Sequence, residues 1–358
     1  MPMSRCAGAL LCACALLSVA VPVRAQGGAP PAPFAPTGFS PARAGEQAQR
    51  EARLLDAITP AELDSISYAL TRQTRIAGSP GDAQARDWVL ARTRAWGLRT
   101  ESKTYNVLLP WATGVSLQLL APDTMTFRLG EEPLARDPTT ALPQYPWVNG
   151  YSGAGEVEGV AVYVNYGLAD DYALLDSLHV SVRGRIVVAR YGRSFRGIKE
   201  QLAEARGAAG LLLYADPADD GYFRGDVYPD GPYRNPTAVQ RGSVLNTDGD
   251  PTSPGWPSVA GAHRVSPDSP ETGLPHLLVM PISYEVAQHI LVALGPAELP
   301  RKDWQGALPF RYHVGPGPAR VRIRVSRRDV TFRDRPSGTP DVLAHDAPLP
   351  TKPPTRPL

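Results

Sequence analysis

Three short apolar runs constrain this chain more than any other feature: 157–166 (Val-Glu-Gly-Val-Ala-Val-Tyr-Val-Asn-Tyr), 184–191 (Gly-Arg-Ile-Val-Val-Ala-Arg-Tyr) and 211–214 (Leu-Leu-Leu-Tyr). Each is short, rich in β-branched, leucine or aromatic residues, and suited to a buried strand. Between the second and third lies 197–209, a helical stretch bounded by Gly197 and Gly210. A strand, strand, helix, strand succession makes a compact α/β unit.

The flanks extend this pattern. Residues 46–71 carry an amphipathic helical stripe with a break at Thr59-Pro60, where Thr59 can cap and Pro60 can take the first helical position. A second helix runs from Gly81-Asp82 to Trp96 and ends at Gly97. Residues 98–109 and 115–120 alternate as strands do. Further on, 277–282 reads as a strand, 284–294 as a helix and 320–325 as a strand that alternates basic with apolar residues. Residues 216–274 show turn dipeptides and no helical period, and a loop of that length in a compact domain points to a functional lid. Its aspartates lack the Asp-x-Asp-x-Asp-Gly spacing that gathers carboxylates round calcium, so 216–250 is read as a solvated lid.

The two ends read differently from the middle. Residues 1–25 have a basic start, an apolar stretch and Val23-Arg24-Ala25 as a cleavage site, which predicts a signal peptide and a secreted or periplasmic product. The apolar stretch is short for a stable membrane span; an uncleaved signal anchor or a lipid-modified cysteine in Leu11-Cys12-Ala13-Cys14 is the alternative. All three cysteines (Cys6, Cys12, Cys14) fall in this segment, which removes a cysteine nucleophile and any thiolate metal site from the remainder. Residues 26–45 are read as a flexible linker. Residues 327–358 hold seven prolines and are read as a disordered tail. With 37 basic against 35 acidic side chains and no basic stripe, the chain has no nucleic-acid signature.

Several segments occur together in a telling order. They are Arg-Ile-Ala-Gly-Ser-Pro at 75–80, Ala-Arg-Asp-Trp-Val at 85–89, Trp-Gly-Leu at 96–98, Tyr-Val-Asn-Tyr-Gly at 163–167, Ile-Val-Val-Ala-Arg-Tyr-Gly at 186–192 and Phe-Arg-Gly at 195–197. Leu-Tyr-Ala-Asp-Pro-Ala-Asp at 213–219, Tyr-Pro-Asp-Gly at 228–231, Val-Gln-Arg-Gly at 239–242 and Gly-Asp-Pro-Thr-Ser-Pro-Gly-Trp-Pro at 249–257 follow. Leu-Pro at 274–275, Pro-Ile-Ser-Tyr at 281–284 and Tyr-His-Val-Gly-Pro-Gly at 312–317 close the series. The ordered set resembles the glutamate carboxypeptidase II and transferrin receptor family of zinc peptidases. The resemblance implies an α/β chain in which residues 46–111 are the first segment of a zinc-exopeptidase domain. Residues 112–326 would be the inserted protease-associated (PA), or apical, domain.

An intact member of that family is expected to hold two zinc ions and a calcium ion. The zinc ligands would come as His-x-Asp after a strand, then an Asp and a Glu-Glu pair. None of the six histidines stands in His-x-Asp, and Glu131-Glu132 comes too early. His345-Asp346 sits in the proline-rich tail. His276 and His289 read as surface or packed histidines, and no Gly-x-Ser-x-Gly elbow is present. No catalytic or zinc-ligating residue is assigned. The family's calcium turn corresponds to Ser253-Pro254-Gly255-Trp256, where the carbonyls of Ser253 and Trp256 could ligate the ion, although a plain turn is the simpler reading. The family's substrate-pocket positions on the PA domain correspond to Leu168 and Ser243. With no arginine fork there, the expectation is a broad peptide preference rather than glutamate specificity.

Two readings follow. One is an exported member of a zinc exopeptidase lineage, truncated before its zinc ligands and inactive as this chain, because resemblance stops near Ser326 as after a shifted reading frame. The other is a non-catalytic PA module that binds a peptide or protein partner. Leu54, Leu55, Ile58, Trp88, Val89 and Trp96 keep an apolar stripe suited to the rest of a peptidase sheet, which favours the first. A dimer of the family type is not expected.

Overall fold

The computed structural model describes residues 37–330. The signal segment, most of the linker and the tail beyond Val330, with His345-Asp346, lie outside the described residues. The chain divides into two compact units, with the boundary between Ser67 and Tyr68.

In the first unit, helix α1 (Pro41–Asp56) begins five residues before the expected start, with Pro at its first position behind Ser40. The break falls where expected. Helix α2 (Pro60–Thr71) starts after Thr59, whose Oγ1 accepts from the Glu62 N–H at 3.2 Å. Leu54, Leu55 and Ile58 are exposed. Among the described residues no helix is long and apolar enough to cross a membrane.

The second unit is built on a seven-stranded sheet. Helix α3 (Pro80–Ala95) leads into it, capped by Ser79 Oγ, and Gly97 turns the chain out at φ +79°. The strand expected over 98–109 does not form: up to Leu108 the chain is extended without a strand partner. Its backbone bonds instead to a loop, Asn106 N–H to the Ser258 carbonyl at 2.7 Å and Leu108 N–H to Asp250 Oδ1 at 2.8 Å. Strand β1 (Leu109–Ala121) and β2 (Met125–Thr126) form one edge. Then come β3 (Gly155–Tyr163), α4 (Ala169–Ser177), β4 (Ile186–Arg190), α5 (Arg196–Ala205) and β5 (Gly210–Tyr214). A single turn α6 (Pro217–Asp220), β6 (Leu278–Ile282), α7 (Tyr284–Val292) and β7 (Arg320–Val330) complete it. Helix α4 was not anticipated; its short sequence, Ala-Asp-Asp-Tyr-Ala-Leu-Leu-Asp-Ser, gives fewer than three helical turns of period.

The sheet order is β2-β1-β7-β3-β4-β5-β6. β3 to β6 run parallel, while β7 lies antiparallel between β1 and β3. This is a mixed α/β architecture, as the apolar runs required. Parallel strands covered on both faces read as unbroken apolar runs, and β4, β5 and β6 are buried at every residue. β7 faces two environments and alternates: Val321, Ile323 and Val325 enter the core. On the other face Arg322 lies 2.7 Å from Glu158, and Arg320 also bonds it. The β6 edge is closed by the chain itself. Gly153 N–H bonds the Leu277 carbonyl at 2.9 Å, Ser152 Oγ accepts from Val279 N–H at 2.8 Å, and Pro281 removes a donor.

Candidate substrate-facing edge

The parallel strands end in loops that gather most of the buried charge. After β3 the chain turns through Asn165 (φ +53°) and Gly167 (φ +67°), and after β4 through Gly192 (φ +101°) and Arg193 (φ +61°). Two non-glycine residues in the left-handed region on adjacent loops mark backbone held there by its surroundings. Arg190, at the end of β4, is buried; its Nη2 bonds Asn165 Oδ1 and the Asp303 carbonyl, the latter at 3.0 Å. Asn165 Nδ2 in turn donates to Asp171 Oδ1 at 2.8 Å. Tyr166 lies at the centre. Its hydroxyl donates to Asp219 at 2.7 Å, and the guanidinium carbons of Arg190 and Arg193 lie 4.1 and 4.6 Å from its ring centre.

Helix α5 completes the edge. Lys199 is fully buried and donates to the carbonyls of Tyr166 at 2.5 Å and Gly192 at 2.8 Å. Burial pushes its ammonium down to about 8, against the pull of Asp171. Arg196, at the first position of the helix, lies against Gly242 so closely that a Cβ there would fall 2.4 Å from its guanidinium carbon. Its Nη1 donates to the Ser243 carbonyl at 3.1 Å, while its buried Nε has no partner. No carboxylate forms an ion pair with Arg196 among the described residues. The exposed Phe195 ring sits 5.3 Å from the guanidinium. The Arg196 Nε is closed off from solvent, so an outside carboxylate could meet this half-buried arginine only at its terminal Nη atoms.

The expected site residues separate on this framework. Ser243 lies on this edge, beside Arg196; its hydroxyl accepts from Leu245 N–H at 3.0 Å. Leu168 caps α4, with its N–H on Asp171 Oδ2 at 3.0 Å, and makes no hydrogen bond to Ser243. Leu168 offers no guanidinium, and the arginine on this edge is Arg196, beside Ser243. The Phe-Arg-Gly segment at 195–197 carried the resemblance without marking Arg196, because its contact with Ser243 is made across loops distant in sequence.

Ser253 and Trp256 bracket a tight turn with Gly255 at φ +77°. The Ser253 carbonyl accepts from Trp256 N–H at 3.1 Å. Two carbonyls give a fraction of the roughly six to eight oxygens calcium takes. The adjacent Asp250 carboxylate is committed: Oδ2 accepts from Thr252, Ser253, Ser258 and Arg264, and Oδ1 from Leu108 N–H. Burial works to raise its carboxyl, but those bonds from Thr252, Leu108, Ser258 and Ser253 outweigh it and hold the group below the usual range. The described residues do not complete a calcium site. Nor do they fit zinc, since no three His, Cys, Asp or Glu side chains converge as a metal site among them. The loop over 216–250 is stitched down rather than free. Arg234 pairs with Asp220 at 2.7 Å, Arg241 with Glu131 at 2.9 Å, and Asp216 accepts from the hydroxyls of Tyr214 at 2.9 Å and Tyr312 at 2.5 Å.

The sequence profile of the PA domain matches residues 144–251. A "Probable glutamate carboxypeptidase" of the fungus Arthroderma benhamiae is 37% identical over 280 residues, covering 75% of this chain and 38% of that protein. The maize "Probable glutamate carboxypeptidase VP8" is 36% identical, over 71% of this chain and 33% of its own length. Mouse "Aminopeptidase NAALADL1" is 30% identical over 72% of this chain and 37% of its own. The chain thus spans little more than a third of the curated relatives it matches. Among solved structures, an aminopeptidase from Aneurinibacillus is similar at 14% identity and a TM-score of 0.36, over 75% of this chain and 44% of that one. The chain carries a PA domain and, over the part it spans, is similar to glutamate carboxypeptidase-like peptidases.

Proposed function

We propose that this chain is the non-catalytic, substrate-facing part of an exported zinc exopeptidase lineage, and that its PA domain holds the carboxylate of a peptide through Arg196. The carrying observation is the arginine itself: it opens α5 beside Ser243, is only half-buried and has no acidic partner among the described residues. Names of the relatives support a peptide as the ligand. Export rests on the character of residues 1–25. The described residues supply no zinc ligands, so the chain by itself binds peptide without cleaving it, and no step is routed through zinc.

The preference is for an acidic end, which revises the broad specificity expected from Leu168. A bidentate guanidinium–carboxylate contact gives both charge and direction. The test is calorimetric titration of the purified chain with N-acetyl-Ala-Glu and with its neutral amide. The acidic peptide should bind at least tenfold more tightly, and Arg196→Met should abolish the difference while costing about 1 kcal/mol of stability for the lost bond to the Ser243 carbonyl. Equal binding of both peptides sinks the reading, as does zinc-dependent hydrolysis by the purified chain. Sequencing the gene past codon 358 in three frames tests truncation: a frame with a strand, His-x-Asp and Glu-Glu supports it.

A further inference from the structure

Among the described residues Lys199 stands out as a buried cation with no ion pair and a fixed geometric task. It lies one helical turn beyond Arg196, on the same side of α5. Its two hydrogen bonds tie the loop after β3, at the Tyr166 carbonyl, to the loop after β4, at the Gly192 carbonyl. The second of these loops runs directly into Arg196. The first is also tied through Asn165 to Arg190 and Asp171. The ammonium is thus the common fastening of the two loops that turn through left-handed backbone. A neutral amine keeps fewer donors and loses the charge-assisted strength of both bonds.

We propose that Lys199 is the positioning residue of the carboxylate site: its ammonium fixes both loops and so holds Arg196 in its binding geometry. This rests on the Arg196 reading and deepens it, since it makes peptide affinity depend on a proton that neither peptide nor arginine carries. The charged and titratable groups facing Lys199 are Asp171 on α4, Asp219 on α6, Arg190 on β4 and Tyr166 on the loop after β3. Arg193 precedes it on the β4–α5 loop, and Arg196 and Glu200 share its helix. Glu200 takes a proton in a neighbouring range and needs separate control.

The experiment is the pH profile of N-acetyl-Ala-Glu binding to the full chain from pH 6 to 9.5. The acetyl group removes the peptide's own amine, which would titrate near 8. Affinity should stay level to about pH 7 and fall roughly tenfold as the lysine deprotonates around 8, in wild type and in Glu200→Gln alike. Lys199→Met should bind about tenfold more weakly at pH 7 and show no fall. Should that variant fail to fold, the wild-type and Glu200→Gln profiles decide alone. A flat wild-type profile, or a fall that vanishes in Glu200→Gln, overturns the Lys199 assignment. If Arg196→Met still discriminates the acidic peptide, the Arg196 reading has failed instead.

Discussion

Two loop-built polar clusters in the same unit behave in opposite ways. Around Asp250 one carboxylate meets five donors, and its side chain is closed off from solvent. Along the edge of β3 and β4 there are more donors than acceptors, and the Nε atoms of both Arg190 and Arg196 lack a partner. Buried polar groups are normally paired, so a saturated cluster has nothing left to offer a ligand, whereas a cluster short of acceptors does. The first therefore holds the fold, by fastening Leu108 and the 250–264 loop. The second is where the proposed carboxylate site lies.

The sharpest way to break this contrast is Asp250→Ala. Removing the shared acceptor leaves the Leu108 N–H, three hydroxyls and part of Arg264 without their partner. Loss of one side of a buried charged cluster costs about 3–5 kcal/mol, discounted to about 3 here because Arg264 can reach water. Urea unfolding should show that loss with peptide affinity per folded molecule unchanged. A loss under about 1 kcal/mol means the cluster is not the fastening it looks like. The pH dependence has a definite sign. The carboxyl is held below its ordinary value, so its contribution is complete above 3.8 and disappears as the pH falls through the folded value.

Gly197→Ala tests the other cluster by crowding. A Cβ there would sit 2.3 Å from Asn246 Oδ1 and 2.6 Å from the Val244 carbonyl, so loop 242–246 must move away from α5. Such overpacking costs about 1–3 kcal/mol. Because the same loop carries Ser243, acidic-peptide affinity should fall as well, by a measurable severalfold, in the titration that checks it. Destabilisation without loss of affinity would separate Ser243 from the site.

How much of this was legible beforehand follows from what each residue does locally. β4, β5 and β6 were readable because complete burial writes itself as an apolar run, and β7 because its alternation matches a sheet with a core on one face. The 98–108 segment misled because extended backbone alternates too; whether it joins a sheet depends on Ser258 and Asp250, some 150 residues away in sequence. Ser243 could be placed from its motif, but its neighbour Arg196 could not, since the contact crosses two loops. Lys199 carries no motif, and Arg190 sits in the 186–192 segment without that segment showing what it bonds. Their roles arise only when the fold brings the Tyr166 and Gly192 carbonyls to Lys199, and Asn165 and the Asp303 carbonyl to Arg190.

Glu200 sharpens the comparison at its smallest scale, as a buried acid on α5 that is neither saturated nor open to a ligand. Its Oε1 has no partner, and burial, together with the hydrogen bond and charge of Glu204, pushes the carboxyl up to about 9, against the Leu277 N–H. With the folded value above the ordinary 4.5, the native chain keeps a proton that the unfolded chain releases. The contribution is complete below 4.5 and is lost as the pH rises toward 9, so stability declines across that window. Glu200→Gln keeps the shape and cannot ionise. Its advantage over wild type should grow from pH 5 to 7.5, by up to about 3 kcal/mol from the full linkage slope and about 1–2 kcal/mol once solvent screening is allowed for. That window stops short of Lys199, whose folded value near 8 begins to add stability only at higher pH. Thermal unfolding of both proteins at several pH values checks it: parallel curves would mean that Glu200 is ionised in the fold, with a cation or water serving it.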